Sequence, residues 1–404
     1  MNDIQAAVSA LGPGPLREEG LRKHVDPLFS RVLRQAGGRI YLANHSLGRP
    51  LDRTAADVRE GLSAWYADLD AAWAPWRSEM LAFRSRVASL IGAPGPHCIV
   101  PKASAGQGLR AVLNRHDRPI RVIATGNEFD SIDFILKTYA ARGRISVEWV
   151  KPHGGRHYRA DDFAPALRTG AELLVVSMVL FDTGQLVTDL DAIVAMARAR
   201  GIEVLTDLYH AAGAAPVDVQ ALDVDFAIGG GYKYLRGGPG AAWLYVHPRR
   251  LDEPPRTLDT GWFASADPFA FERSEAPSFA RGADGWLEST PAILPFYQAR
   301  AGLEFALAMG VERLREYSSM QQRFLIDRLE EQGVAAFAPD EPRGAFIVIA
   351  APKAAAVAAG LLDEGVVADA RGDLLRLCPD VLNSASELAE AVARVARVLG
   401  SHHI

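Results

Sequence analysis

The sequence contains few cysteines, no long apolar run and little excess charge of either sign. Cys98 and Cys378 are its two cysteines and lie in separate apolar segments, which argues against a disulfide framework and predicts a cytoplasmic protein. No apolar run is long enough to span a bilayer, and residues 1–20 do not have the pattern of a signal peptide. The net charge of -5 includes no basic stripe, so neither a membrane nor a nucleic acid is an expected partner.

What the sequence does contain is a repeated alternation of apolar, strand-like runs and helical stretches. Its 404 residues, 49% of them hydrophobic, are enough to bury a large core and to form two domains. The order strand, helix, strand between residues 173 and 207 is typical of a right-handed, mostly parallel sheet. We therefore predict an α/β fold with an N-terminal helical arm and loop (1–50), a large domain (51–295) and a smaller α+β domain (296–404).

A lysine in residues 225–240 is preceded by an apolar run and bracketed by glycines. A lysine exposed to solvent does not require such neighbours. Lysine attacks carbonyl groups when its ammonium is partly desolvated and its pKa falls, and a strand that ends in a glycine turn can hold it in that state. We predict that Lys233 carries pyridoxal phosphate as a Schiff base. An ordinary turn with an exposed lysine is the alternative.

An aspartate ends another apolar run upstream of this lysine. Residues 202–207 have the pattern of a buried parallel strand, which places Asp207 at the edge where open α/β sheets bind ligands. A carboxylate there can keep the pyridine nitrogen of the cofactor protonated, so that the ring becomes a better electron sink. His210 is predicted to lie against the ring. The alternatives are a helix N-cap for Asp207 and a hydrogen-bonded core histidine for His210.

The segments around these residues are similar to those of a known enzyme family. Residues 206–213, 224–226 and 232–235 carry the similarity, which extends from about residue 41 to residue 383. On these motifs the chain resembles the kynureninase family, in the class V branch of fold-type I pyridoxal-phosphate enzymes. The resemblance implies a homodimer with active sites shared between subunits, the lysine role for Lys233 and the pyridine contact for Asp207.

Further residues are expected to bind the cofactor. Small residues that open a helix leave backbone N–H groups free, and together with the helix dipole these groups form an anion site. We assign the cofactor phosphate to such a site at Ser104, Ala105 and Gly106. The resemblance implies that Phe129 stacks on the pyridine ring, although a plain core position is the alternative. It also implies that Tyr232 bonds the phosphate and that Trp262 reaches the phosphate of the neighbouring subunit.

Substrate contacts are expected from two other segments. Arg376 lies in an apolar run, where a guanidinium needs an anion and can fork onto an α-carboxylate. We predict that Arg376 binds the carboxylate of the substrate; a structural salt bridge is the alternative. Residues 44–48 resemble a family loop that lies near the substrate, which implies substrate contacts for His45 and Ser46.

Three positions differ from the family pattern. His45 stands where an asparagine is expected, Asp182 replaces a tyrosine, and Thr290 replaces an asparagine that faces the aromatic part of the substrate. We group Thr290 with the cofactor-binding residues. A carboxylate near a phosphate is repelled, so Asp182 is better suited to bond the ring hydroxyl or a cation. The predicted catalytic residues are Lys233, Asp207, His210 and Asp182.

The resemblance implies hydrolysis of the bond between the β and γ carbons of an aryl-keto amino acid, giving alanine and an aromatic acid. The alternatives are transamination, desulfuration, β-elimination and a non-catalytic protein that binds the cofactor. Desulfuration is disfavoured because it needs a mobile cysteine, whereas Cys378 is predicted to follow Arg376 in a strand. His153 and His157 have metal-ligand spacing without a third ligand nearby, so no metal site is predicted.

Overall fold

The computed structural model describes residues 2–401 apart from 154, 156, 255, 272 and 274. Its strands are β1 (Ile40–Tyr41), β2 (Ile99–Lys102), β3 (Ile120–Thr125), β4 (Ile145–Val150), β5 (Leu173–Ser177), β6 (Glu203–Asp207), β7 (Phe226–Gly230), β8 (Ala242–Val246), β9 (Ile347–Ala350), β10 (Val366–Val367), β11 (Asp369–Arg371) and β12 (Leu374–Leu377).

The helices of the described residues alternate with these strands along much of the chain. They are α1 (Asp3–Leu11), α2 (Glu18–Gly20), α3 (Ser30–Gln35), α4 (Thr54–Ala67), α5 (Trp73–Leu90), α6 (Ala105–Leu113), α7 (Asp130–Ala141), α8 (Ala160–Arg168), α9 (Leu190–Arg198), α10 (Val219–Leu222), α11 (Pro248–Leu251), α12 (Leu294–Met309), α13 (Val311–Glu331), α14 (Ala354–Asp363) and α15 (Ala385–Ser401). None of the helices in the described part of the chain is both long and apolar enough to span a bilayer.

The central sheet has seven strands in the order β2-β8-β7-β6-β5-β3-β4. All of them run in one direction except β8, which lies antiparallel to both β2 and β7. Every residue of β2, β5, β7 and β8 is buried, because helices cover both faces of a parallel sheet and its strands become continuous apolar runs. The prediction of an α/β fold with a mostly parallel sheet is confirmed.

The parallel direction brings several predicted site residues to one edge of this sheet. Ser104 follows β2, Phe129 follows β3, Asp207 ends β6 and Lys233 follows β7. Since the carboxyl ends of parallel strands meet at the same edge, residues that are far apart in sequence face a common crevice. The order and direction of the strands therefore bring these residues together at one edge of the sheet.

A second, antiparallel sheet in the order β11-β12-β9 lies in the C-terminal part of the chain, with α13, α14 and α15 around it. The short strand β1 pairs in parallel with β10, with Ile40 opposite Val366. The loop that follows β1 is therefore anchored to the C-terminal elements. The boundaries predicted at residues 50 and 295 stay a prediction.

Local sequence signals account for some of these elements and not for others. The sequence predicts a helix over residues 16–35 that is broken or bent at Pro27, and the structure has a π-helical turn at Leu21–Val25 and a 3-10 turn at Asp26–Phe29 between α2 and α3. Pro27 lies in the 3-10 turn, where it cannot donate the backbone hydrogen bond that an α-helix needs. Strand β4 and helices α7 and α8 were not predicted.

Candidate active site

Lys233 lies in the turn between β7 and β8 and is 6% exposed. Its Nζ donates a hydrogen bond to the carbonyl oxygen of His45 at 2.8 Å and lies 2.9 Å from Nε2 of His210. Burial, followed by the charge of Arg376, lowers the pKa of the lysine to about 7. Near neutral pH, Lys233 is therefore an uncharged amine in a substantial fraction of the molecules, and the uncharged amine is the nucleophilic form.

The turn that carries the lysine is held at close range by the loop after β1. The backbone N–H of Gly48 donates to the carbonyl oxygen of Tyr232 at 2.8 Å. A Cβ on Gly48 would lie 1.9 Å from the carbonyl oxygen of Lys233, so only glycine permits this approach. The loop after β1 therefore packs directly against the turn that carries Lys233.

Asp207 ends β6 on the floor of the same crevice and is 4% exposed. Its Oδ1 accepts the backbone N–H of Tyr209 at 2.7 Å. Burial raises the pKa of the carboxyl to about 7, with a further increase from Glu128. Among the described residues, no side chain donates to its other oxygen, so this carboxyl has the place and the capacity to bond a protonated pyridine nitrogen.

A cavity of about 620 Å³ connects the lysine and the aspartate. Ser104, Ala105 and Gly106 line it at the start of α6, where the Ser104 side chain caps the helix by accepting the N–H of Gln107. The sequence-predicted residues that line the cavity are Ser104, Ala105, Gly106, Phe129, Asp207, His210, Tyr232 and Lys233. An anion-binding helix start, a buried carboxyl and a buried amine in one cavity fit the phosphate, the ring nitrogen and the aldehyde of pyridoxal phosphate.

Phe129, Tyr232 and His210 form parts of the cavity wall. Phe129 lies edge-on to Phe181, with ring centroids 5.5 Å apart, and its own centroid is 5.7 Å from Nζ of Lys233. Tyr232 contacts Tyr209, with ring centroids 5.6 Å apart. The pKa of His210 lies well below its usual value because the ring is buried and close to Lys233. The ring is therefore neutral.

Arg376 does not project freely into the cavity. It is 2% exposed, and its Nε and Nη2 bond the two carboxylate oxygens of Asp369 at 2.8 and 2.6 Å. Its Nη1 donates to the carbonyl oxygen of Phe181. The salt bridge that was the alternative interpretation is thus present, and binding of the substrate carboxylate by Arg376 stays a prediction.

His45 and Ser46 lie in the loop after β1. His45 is fully buried, and its Nε2 lies 2.7 Å from Oδ1 of Asp369. Burial lowers the pKa of His45 to about 4, so the ring is neutral and donates to the carboxylate. Ser46 is half-buried and its N–H donates to the carbonyl oxygen of Ala43 at 2.8 Å. The substrate contacts predicted for both residues stay predictions.

Three other predicted site residues lie outside the cavity lining. Asp182 bonds the side-chain amide of Asn127 at 2.6 Å and the N–H of Thr183 at 2.7 Å. Trp262 and Thr290 bond each other, from indole Nε1 to Oγ1 at 3.3 Å, and each lines a different cavity. Their predicted roles stay predictions.

Two residues near the site were missed in the sequence. Arg110 lines the cavity one helical turn after Gly106, and its Nη1 is 3.5 Å from the position that a Cβ on Gly106 would take. The four-residue spacing on a helix was the available signal. Asp369 lies directly opposite Arg376 in the β11–β12 hairpin, and the Gly372-Asp373 pair between two strand-like runs was its signal.

The described residues contain no group of three or more histidine, cysteine or acidic side chains placed to hold a metal ion. The ring of His157 instead stacks on Phe337, with centroids 5.4 Å apart.

Similarity to known sequences identifies the kind of enzyme. The profile of the aminotransferase class-V family matches residues 73–373.

The chain belongs to the aminotransferase class-V family. It is 34% identical over 385 residues to a kynureninase from Deinococcus radiodurans, with 90% of each chain covered. A kynureninase from Bacillus cereus is 29% identical over 384 residues, covering 90% of this chain and 89% of the relative. The resemblance inferred from the motifs around Asp207 and Lys233 is confirmed.

Solved class-V structures support the fold. A mutant of C-DES with glycine covalently linked to its pyridoxal-phosphate cofactor superimposes with a TM-score of 0.83 and 20% identity, covering 91% of this chain and 98% of that one. A cysteine desulfurase from Thermococcus onnurineus has a TM-score of 0.79 and 19% identity, with 90% and 96% covered. This class-V chain is a pyridoxal-phosphate-dependent enzyme with the fold-type I architecture.

Proposed function

We propose that this class-V enzyme hydrolyses the bond between the β and γ carbons of an aryl-keto α-amino acid such as kynurenine, releasing alanine and an aromatic acid. The observation that carries the proposal is the 34% identity, over 90% of the chain, to a protein named kynureninase. The cavity supports it because an amine, a carboxyl and an anion-binding helix start converge there. The volume of this cavity lies in the range of small-molecule binding pockets, so it has room for the cofactor and an aromatic substrate.

The chemistry divides between the cofactor and the protein. Bound pyridoxal phosphate supplies an electron sink for negative charge at the α-carbon of the substrate. Asp207 holds the ring nitrogen, and Ser104 with the start of α6 holds the phosphate. Burial and the charge of Arg376 lower the pKa of Lys233 to about 7, so Nζ can accept the α-proton near neutral pH.

His210 lies where it can assist this proton transfer. Its Nε2 is 2.9 Å from Nζ of Lys233 and its Nδ1 is 3.4 Å from the hydroxyl of Tyr234. Because the imidazole is neutral, Nε2 accepts from the lysine when the ring proton is on Nδ1. This arrangement orients the lysine amine toward the cavity and offers a path for its proton.

The proposal includes a homodimer with shared active sites. Trp262 and Thr290 lie outside the cavity of their own chain, so in the proposed arrangement they act at the site of the other subunit. Large apolar side chains remain exposed in this chain, among them Tyr66 at 89% and Phe271 at 74%. Exposed aromatic residues are typical of surfaces that become buried in an interface.

Desulfuration is the alternative suggested by the cysteine desulfurase among the structural neighbours, which are less than 25% identical and support the fold alone. That chemistry requires a reactive thiolate that can reach the substrate. Both cysteines are buried, and burial raises the pKa of Cys98 to about 11. The Sγ of Cys378 donates to the carbonyl oxygen of Ala345 at 3.2 Å, and burial raises its pKa as well. Neither thiol is placed for desulfuration.

The test is direct assay of the purified, cofactor-loaded enzyme with L-kynurenine. We expect equal amounts of anthranilate, followed by its fluorescence, and alanine, measured by chromatography. The Lys233→Ala variant removes the residue that accepts the α-proton and should lose at least about 10³-fold of this activity. If kynurenine remains intact while other amino acids are converted to keto acids, the protein is an aminotransferase and the hydrolase proposal is wrong.

A further inference from the structure

A carboxylate joins two predicted substrate-contact residues in the interior of the protein. Asp369 bonds Arg376 through both of its oxygens, at 2.8 and 2.6 Å. Its Oδ1 also accepts from Nε2 of His45 at 2.7 Å. The side chains of His45 and Arg376 are 0% and 3% exposed, so neither has bulk water as a competing partner. The positions of both therefore depend on Asp369.

The edge of the guanidinium that Asp369 occupies is the important detail. Arginine carries five N–H groups on a rigid plane. Asp369 takes the side edge, formed by Nε and Nη2, and the carbonyl oxygen of Phe181 takes one N–H of Nη1. Among the described residues, no further acceptor bonds Nη1 or Nη2, which leaves one N–H on each of them. Nη1 and Nη2 together form the end edge of the guanidinium, which can bond the two oxygens of a carboxylate.

The remaining donors lie beside the place where an amino acid must bind. Phe181, whose carbonyl contacts Nη1, is itself part of the cavity wall. After burial, the charge of Arg376 is also the main cause of the lowered pKa of Lys233. His45 contacts both Asp369 and Lys233, since its ring bonds the Asp369 carboxylate and its carbonyl oxygen accepts from Lys233.

We propose that Asp369 is a positioning residue: by holding Arg376 through its Nε–Nη2 edge, it presents the other edge to the α-carboxylate of the amino-acid substrate. The hairpin makes this geometry, since Asp369 and Arg376 are directly opposite in β11 and β12 and opposite residues share one face of a sheet. The inference rests on the proposed function only in that the substrate carries an α-carboxylate. It holds for hydrolysis and for transamination alike.

Lysine at position 376 would not replace arginine. An ammonium is a single point of charge and cannot bond one carboxylate on one edge while offering a second edge to another. Both Asp369→Asn and Arg376→Lys should therefore weaken binding of the carboxylate while leaving the cofactor site intact. Asp363, which is exposed on α14 in the same part of the chain, supplies the matched control Asp363→Asn.

The experiment uses the cofactor-loaded enzyme and two amines that differ only in the carboxylate. L-Alanine and ethylamine are titrated separately, and the change in cofactor absorbance gives an apparent dissociation constant for each. For Asp369→Asn we expect the L-alanine constant to rise by about 10-fold or more, the size of a lost charge-assisted contact, and the ethylamine constant to change by less than about 2-fold. Arg376→Lys should behave in the same way, and Asp363→Asn should match the wild type for both amines.

Two results would overturn the inference. Unchanged L-alanine binding in Asp369→Asn or in Arg376→Lys would show that the ion pair is only structural. An equal loss for L-alanine and ethylamine would show that the carboxylate is not involved. Failure of kynurenine hydrolysis is a separate result, because a protein that binds L-alanine but leaves kynurenine intact would refute the hydrolase and leave this inference standing. Thermal unfolding and cofactor content confirm that each variant is folded.

Discussion

At the residue scale, burial moves the two principal ionisable groups of the site toward the same pH. The pKa of Lys233 is lowered to about 7 and that of Asp207 is raised to about 7. In both cases the largest cause is loss of hydration, which disfavours the charged form. Each group is thus ready for the chemistry that the cofactor requires. This loss of hydration lowers the stability of the cofactor-free protein.

The pH dependence of stability tests this account of the lysine. A group whose folded-state pKa is depressed binds fewer protons in the folded state, so stability increases as pH rises from the folded to the unfolded pKa. For the apoprotein we expect the wild type to gain stability relative to Lys233→Met between pH values of about 7 and 10.5. Urea unfolding across this range measures the difference.

A matched control separates this effect from general alkaline changes. Lys151 is exposed directly after β4, so Lys151→Met makes the same chemical change at a position where folding does not bury the amine. A difference between wild type and Lys233→Met that stays constant through the window would contradict the proposed desolvation of the amine.

At the element scale, the turn between β7 and β8 is attached to the C-terminal part of the chain by a buried ion pair. Arg236, three residues after Lys233, has a φ of 56° and bonds both oxygens of Asp380 at 2.7 and 2.8 Å. Arg49 lies 3.8 Å from the same carboxylate. These two cations lower the pKa of Asp380 to about 2. One carboxylate therefore connects the lysine turn, the loop after β1 and the segment before α15.

Removing this carboxylate charge should be costly. For Asp380→Asn we expect the free energy of unfolding to fall by about 3 kcal/mol, because two buried guanidinium groups lose their counter-charge. The control is Glu331→Gln in the exposed pair with Arg328, for which a loss below about 0.5 kcal/mol is expected. Equal effects of the two substitutions in denaturant titrations would show that the buried pair is not a structural link.

At the scale of the whole molecule, the proposed sharing of active sites between subunits concerns two residues that do not line the cavity with Lys233. The cavity with Lys233 and the cavity with Trp262 are separate in the chain. In a two-fold symmetric dimer each subunit can supply a segment to the site of the other, because a two-fold interface uses the same surfaces twice. Trp262 and Thr290 are the residues for which this matters.

Subunit complementation tests the shared site. Lys233→Ala and Trp262→Ala should each have little activity alone. Mixed one to one and allowed to exchange subunits, they should regain roughly a quarter of wild-type activity, since half of the dimers are mixed and each of these has one intact site. Activity that does not recover, in a mixture shown by native mass spectrometry to contain mixed dimers, would place both residues in the site of one chain.

Local sequence was sufficient for the features that depend on burial and strand direction. An apolar run that ends in Asp207 and a glycine-bracketed lysine both predicted buried groups at the carboxyl edge of a parallel sheet, and the structure has them there. The pattern works because side-chain periodicity and apolar composition report which positions are buried. An edge strand carries a weaker signal, so β4 was missed.

The sequence by itself determined the α/β class, the cofactor and the positions of Asp207 and Lys233 at the ends of their strands, because each of these depends on patterns within a single segment or on a family motif. Only the tertiary structure decided which partners the polar side chains choose. Arg376 bonds Asp369, and Asp182 bonds Asn127. These pairings depend on the relative position of segments that pack together from distant parts of the chain. Hydrogen bonds form only within a narrow range of distances and angles, which the periodicity of a sequence does not specify.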